Sequence, residues 1–268
     1  MSGMKTYLPN ETKAERKERK TREKSGLSIT RPITNDDKKY IVCLKWGNKY
    51  SSDYVNKLYN MVSKYCTLDY EFVCFTENSL GINKDIRVEP LPALPVKGWW
   101  YKPYFMSANL PIKGTLLYLD LDLIVFENID KFFTYKHEND FIIIRDFNRI
   151  NRQNWDRINS SVFRLKTGSK AEKYDEFVRN PSASMNRLQG DQDWMYKNCK
   201  PWDYWPDEWV ESYKWEMRGR ETLGLINGVR NFVHPGEPKI KKDTSIAVFH
   251  GKPDIHEIKD QWVVDNWQ

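Results

Sequence analysis

Apolar residues fall along this chain in short runs separated by polar turns. KKYIVCLKW, Lys38 to Trp46, is apolar at its centre and reads as a first strand. In the segment that follows, Tyr54, Leu58, Met61, Val62 and Tyr65 recur at helical spacing, and Ser51 or Ser52 stands where an N-cap would. YEFVCFT, Tyr70 to Thr76, predicts a second strand, and IRVEPLP a short third one. WWYKPYFMSANL predicts a helix after Pro103, and LLYLDLDLIVF, Leu116 to Phe126, a further strand. DFIIIRD (Asp140 to Asp146) and SSVFRL (Ser160 to Leu165) also read as strands, and residues 170–179 and 191–198 as helices. KPWDYWPDEWVESYKW reads as loops and short elements, and SIAVFHGKP as a closing strand that ends at His250. Strand, helix, strand and strand again at this spacing predict one α/β domain: a mainly parallel central sheet flanked by helices.

The 268 residues allow one large domain or two small ones. Composition adjusts that picture in three places. Aromatic residues make up 14% of the chain and eleven are tryptophans, more than one core hides, so some are expected to line a groove. Lys13 to Lys24, KAERKERKTREK, is basic and lacks large apolar residues, so residues 1–37 are expected to form a flexible basic arm ahead of a domain spanning 38–268. A solvated tail or frayed helix is the simpler reading of that arm, and contact with an anion, a nucleic acid or a membrane surface the other. Outside the arm charge is near balance, which argues against a general nucleic-acid binder. Cys43, Cys66, Cys74 and Cys199 form no CxxC pair, which argues against a disulfide framework or thiolate zinc site and for a reducing, cytoplasmic setting. No run approaches the roughly 20 apolar residues of a transmembrane segment.

The candidate chemistry starts at LLYLDLDLIVF. Asp120 and Asp122 sit in an otherwise apolar run, where an ionised carboxylate is costly unless it is paired or bound to metal. Residues two apart in a strand face the same way, and two like charges that close repel unless a cation lies between them. Mg²⁺ and Mn²⁺ take such oxygen ligands and share them with substrate phosphates. The alternative is a pair of aspartates that cap or form salt bridges with Lys102 or Lys113. In open α/β sheets ligands bind beyond the carboxyl ends of strands. Lys45, Thr76, Asp120, Asp122 and His250 all fall at or just past such predicted ends, so they are expected to converge.

YLDLDLIVF resembles the DxD segment of GT-A fold glycosyltransferases, and three further segments agree in order. NSSVFRL (Asn159 to Leu165) is similar to the Asn-Ser/Ala-Gly segment of the family 8 retaining enzymes and their bacterial and phage relatives. GDQDW (Gly190 to Trp194) resembles their Asp-Gln motif, and VFHGKP (Val248 to Pro253) their C-terminal His-Gly-Lys-Pro segment. The resemblance runs from about Tyr40 to the C-terminus. It implies a GT-A, Rossmann-like fold with a nucleotide-binding part at about 38–126 and an acceptor-side part at about 127–268. It implies a metal site of Asp120, Asp122 and His250 for Mn²⁺ or Mg²⁺, and a nucleotide-diphospho-sugar donor, with UDP the favoured base. Gly251 and Lys252 would hold the diphosphate, with Lys214 as a second contact. Asp191 and Gln192 would face the donor sugar and Lys102 the sugar or phosphate, and these three are the candidate catalytic residues. Leu44, Lys45, Trp46, Thr76, Leu121 and Asn159 complete the expected nucleotide-sugar contacts. The acceptor would be a carbohydrate or another hydroxyl compound. Two departures mark a divergent branch and leave retention open: Ser160-Ser161 follows Asn159, and HGKP lacks the family's spacer between Gly and Lys.

Most of these residues also have a plainer reading. Lone His250 could be structural, Lys214 and Lys252 surface lysines, Asp191 a helix cap and Thr76 turn chemistry. Trp202, Trp205, Trp209 and Trp215 could stack on an acceptor sugar, although loop packing accounts for most of them. A phosphohydrolase of the haloacid dehalogenase type also places Asp-x-Asp after an apolar strand, but its motif continues Gly-Thr where this chain has Leu123-Ile124. A nucleotidyltransferase would carry a glycine-rich loop near the first strand, which LKWGNKYSS matches poorly. A non-catalytic carbohydrate-binding protein would have no use for a metal and diphosphate site.

Overall fold

The computed structural model describes residues 38–268 apart from positions 151, 153, 220, 227, 228 and 235. The basic arm at 1–37 lies outside the described residues. A seven-stranded sheet carries the domain. Its strands are β1 (Lys39–Lys45), β2 (Glu71–Thr76), β3 (Arg87–Glu89), β4 (Thr115–Leu119), β6 (Phe141–Arg145), β7 (Ile158–Lys166) and β8 (Asp203–Tyr204), in the order β3-β2-β1-β4-β7-β6-β8. All but β7 run parallel to one another, and β7 is antiparallel to both β4 and β6.

Alternation along the strands sorts side chains into two cores. Ile41, Cys43, Leu117, Leu119 and Ile142 pack on one face, and Tyr40, Val42, Leu116, Tyr118 and Ile143 on the other. Both faces are covered, so β4 is apolar throughout, as expected of a strand buried on both sides. The first face receives α1 (Ser52–Tyr65), which buries Tyr54, Val55, Leu58, Met61 and Val62. The second receives the 3₁₀ segment Gly98–Met106, α3 (Ala171–Arg179) and α5 (Asp191–Asn198), with Trp100 stacked on Phe177. Short helices α2 (Lys131–Thr134), α4 (Pro181–Arg187) and α6 (Gln261–Asn266) complete the set.

Four expectations need correction. LLYLDLDLIVF is not one strand: β4 stops at Leu119, and β5 (Leu123–Val125) belongs to a second sheet with β12 (Ile246–Val248) and β9 (Val210–Ser212). Asp120 to Asp122 is therefore the crossing between two sheets, which frees both carboxylates from the apolar layers. The helical turn begins at Gly98, before Pro103 rather than after it, in 3₁₀ form with Trp100 and Phe105 buried. The closing strand ends at Val248, two residues before His250, and α6 follows it. The pair β10 (Glu221–Ile226) and β11 (Val229–Val233) forms an antiparallel hairpin that the hydrophobic pattern did not suggest. No helix among the described residues is long and apolar enough to cross a membrane.

Candidate functional site

Because β1, β2, β4 and β6 are parallel, their carboxyl ends share one edge, where Lys45, Thr76, Asp120 and Asp146 stand. Antiparallel β7 delivers its first residues, Asn159 and Ser160, to the same edge. The Asp120 N–H donates to the Ser161 carbonyl at 2.9 Å, fixing the crossing against β7. Phe249 N–H donates to the Asp122 carbonyl at 2.8 Å, which sets His250 one residue from the aspartates.

Lys102 lies at the centre of this cluster. Its Nζ is 2.8 and 2.9 Å from the two oxygens of Asp120, 3.2 Å from the Ser160 carbonyl and 3.7 Å from Asp191 Oδ2. Burial opposes its charge, but Asp120 and Asp191 together outweigh burial and hold its pKa above the usual lysine value. The ion pair with Lys102 that the sequence allowed is thus present. Tyr118 donates to Asp120 Oδ1 at 2.7 Å. Asp122 accepts from Tyr50 at 3.1 Å, and burial, then the neighbouring charge of Asp120, push its carboxyl up to about 6. Asp191 is buried at the start of α5; burial raises its pKa against the pull of Lys102, and its Oδ2 makes no hydrogen bond. Gln192 Nε2 donates to Asp146 at 2.9 Å and its Oε1 accepts from Ser160 N–H at 3.3 Å.

The opposite wall comes from the second sheet. Ser212 Oγ and His250 Nε2 are 2.7 Å apart, Phe147 stacks on the imidazole and Trp215 meets it edge-on. Gly251 has φ +67°, and a Cβ there would lie 3.1 Å from Lys214 Nζ, which donates to the Lys252 carbonyl at 2.9 Å. His250, Gly251 and Lys214 are therefore brought together. Lys252 points elsewhere: its Nζ pairs with Asp254 at 2.6 Å and with Glu257 at 3.2 Å.

The expected nucleotide contacts divide. Lys45 and Thr76 are register partners at the ends of β1 and β2, but Thr76 Oγ1 accepts from Asn78 N–H and so makes a turn. Leu44 and Leu121 bury their side chains in the two cores, leaving only backbone to offer a ligand. Trp46 remains half-buried and meets Trp99 edge-on at 6.4 Å. Asn159 Oδ1 caps Ser161 N–H.

Two solved structures align with the chain over most of their length. One is an active-site mutant of LgtC, at 9% identity and a TM-score of 0.57, covering 85% of this chain and 93% of that one. The other is the galactosyltransferase LgtC in complex with donor and acceptor sugar analogues, at 12% identity and a TM-score of 0.51, covering 81% and 88%. The chain has the GT-A glycosyltransferase fold. No family model matches it, and no curated protein matches it by sequence.

In this GT-A framework the donor set at the edge suits a divalent cation by its chemistry: two hard carboxylates, one pushed up by burial and then by the other's charge, and an imidazole nearby. Asp120, Asp122 and His250 do not close to within 4.8 Å of one another. The one such trio among the described residues is Asp254, His256 and Glu257, which Lys252 already bridges.

Sequence reasoning missed Tyr50, Asp146, Trp99 and Ser212, whose contacts with Asp122, Gln192, Trp46 and His250 span residues distant in sequence; it also missed Tyr118, which reads as one more apolar strand position although it bonds Asp120 two residues on. A Cβ at Gly190 would sit 3.1 Å from Trp99 Nε1. Of the four tryptophans considered for an acceptor, Trp205 is buried, Trp209 packs on Phe132 and Tyr135, and Trp215 packs on His250. Trp202 alone of the four joins a ring cluster with Tyr196 and Tyr204.

Replacing Lys102 by Met is expected to cost about 3 kcal/mol of stability, the scale of breaking a buried ion pair. The loss should be larger at pH 8 than at pH 5, because burial already raises the pKa of Asp191 and without Lys102 its protonation relieves the stranded charge. Urea unfolding at the two pH values measures it.

Proposed function

We propose that this protein transfers a sugar from a nucleotide-diphospho-sugar, with UDP as the base, to a hydroxyl-bearing acceptor. The observation that carries the reading is one edge of a GT-A fold holding Asp120, Asp122, Lys102, Asp191 and Gln192 across from His250, Gly251 and Lys214. The metal would be Mn²⁺ or Mg²⁺, held by Asp120 and Asp122 with His250 as the third ligand, and when bound it supplies Lewis-acid stabilisation of the leaving diphosphate. Gly251 lets the backbone approach the phosphates, and Lys214 adds charge beside it. Lys252 would join them only by leaving Asp254 and Glu257. Lys102 fixes Asp120, and Asp191 offers its unbonded Oδ2 toward the donor sugar, with Gln192 beside it. On this reading residues 38–126 bind the nucleotide and 127–268 shape the acceptor side. The four free, buried cysteines fit a reducing cytoplasm.

Thermal shift tests the reading, with UDP, GDP, CMP and their sugar conjugates each measured with Mn²⁺ and with EDTA. Ligand at about 100 times its Kd stabilises the native state by about 2.7 kcal/mol. Given about 2–4 °C per kcal/mol for a domain of this size, the expected shift is roughly 5–10 °C, with UDP or a UDP-sugar only and with metal only. No shift with any nucleotide would overturn the reading and favour a phosphohydrolase or a carbohydrate-binding protein.

A further inference from the structure

A cleft of about 480 Å³ opens where Gln192 and Asp146 end the catalytic edge, within the size range of small-molecule sites. Its walls are Arg157, Arg187, Tyr196 and Lys197, with Trp155 at one side. The two carboxylates of the cleft are already occupied. Asp146 accepts from Asn148 N–H, Asn148 Nδ2, Trp155 Nε1 and Gln192 Nε2, and Asp193 from Gln189 N–H. The three cations are not matched in this way: among the described residues Arg157, Arg187 and Lys197 have no carboxylate partner. The guanidinium of Arg157 instead lies 4.2 Å from the ring centre of Tyr196 and 5.7 Å from that of Trp155. Stacking on rings holds its plane without using its donors, which leaves the N–H fork available for a planar or tetrahedral oxyanion. Arg152 stacks on Trp155 as well, at 4.5 Å. The cleft thus joins an arginine held against aromatic rings, two further cations without a carboxylate partner among the described residues, and hydrogen-bonded acids.

We propose that this cleft binds an anionic saccharide, one bearing a carboxylate or a phosphate, as the sugar acceptor. The inference rests on the transferase reading, since Gln192 links the cleft to the donor side. Arg157 supplies the bidentate contact, Arg187 and Lys197 add charge at the rim, and Trp155 and Tyr196 take the apolar sugar face.

Isothermal titration of the full chain tests it with four probes: trigalacturonate for carboxylate, glucose 6-phosphate for phosphate, maltotriose as a neutral sugar and an eight-residue oligothymidylate. The expected result is binding of one or both charged sugars at least tenfold tighter than maltotriose, weakening as salt is raised. Which of the two binds tells carboxylate from phosphate. Arg157→Gln with Arg187→Gln should weaken that binding at least tenfold while the melting temperature and the UDP- and metal-dependent shift stay as they were. Equal or tighter binding of maltotriose, preference for the oligothymidylate, or no binding of either charged sugar overturns the proposal. If the UDP shift persists in those cases, the acceptor inference fails alone; if it is absent from the start, the transferase reading has failed first.

Discussion

Asp122→Asn should reduce sugar transfer by about 10³-fold or more, the scale of losing a group that stabilises charge on the leaving diphosphate. The same variant should be no less stable than the parent, and at pH 7.5 in EDTA somewhat more so. The sign follows from linkage. Asp122 titrates at about 6 in the folded chain, because burial and Asp120 disfavour its charge, and near the ordinary carboxylate value when unfolded. The folded state therefore binds the proton more tightly, and stability falls as pH rises from about 4 to about 6. Above that window the parent bears the full cost, which asparagine removes. An unscreened shift of this size would amount to about 3 kcal/mol, and residual contact of Asp122 with water reduces it to about 1–2 kcal/mol. Activity lost while stability is held marks a functional carboxylate. A variant that loses both, or keeps full activity in EDTA, would sink the metal role of this residue. Chemical denaturation at pH 4.5 and 7.5, alongside donor turnover with and without Mn²⁺, gives both readouts.

The second large effect is structural. Arg164, on β7, is fully buried, and its guanidinium donates to five backbone carbonyls: Phe132, Phe133, Tyr135, Lys136 and Asn139. It closes the C-terminal end of α2 and the turn beyond it, where helix-end carbonyls lack intrahelical partners; the Lys136 carbonyl also accepts from Asn139 N–H. Burial pushes its pKa down to about 10, against the pull of Glu138, Asp140 and Asp203, so it stays cationic at neutral pH. Arg164→Ala would strand the carbonyls and leave a void, so the expected loss is about 3–5 kcal/mol. That corresponds to a drop of roughly 10 °C in Tm. Arg164→Lys has fewer donors and no fork, and should recover only part of it. A drop under about 1 kcal/mol for Arg164→Ala would mean that water satisfies these carbonyls and that the arginine is not the tie between sheet and turn.

These two residues show what a sequence can and cannot carry. The apolar cost of Asp120 and Asp122 was legible because they interrupt a run that burial would otherwise fill. The parallel strands and α1 were legible for the same reason: period two and period 3.6 are local properties of the chain. Arg164 was read only as one residue of a strand, since nothing nearby in sequence reveals five carbonyl partners 25 to 32 residues away. The sequence places Lys102 as a basic position near the donor and allows its pairing with the aspartates, and only the fold shows that it pairs with Asp120.

By itself the sequence determined a mainly parallel α/β sheet and the rim on which the polar residues fall. Those features follow from hydrophobic periodicity and from where each strand must stop. The tertiary structure decided that β4 and β5 enter different sheets, so that the aspartates occupy a crossing between them. It decided that β7 runs antiparallel, bringing Asn159 and Ser160 to the edge where Lys102 waits. It also decided that Lys252 turns to Asp254 and Glu257 while Arg157 stacks between rings. Pairings of this kind depend on strand order and on competition among partners far apart in the chain, and neither leaves a periodic trace in the sequence.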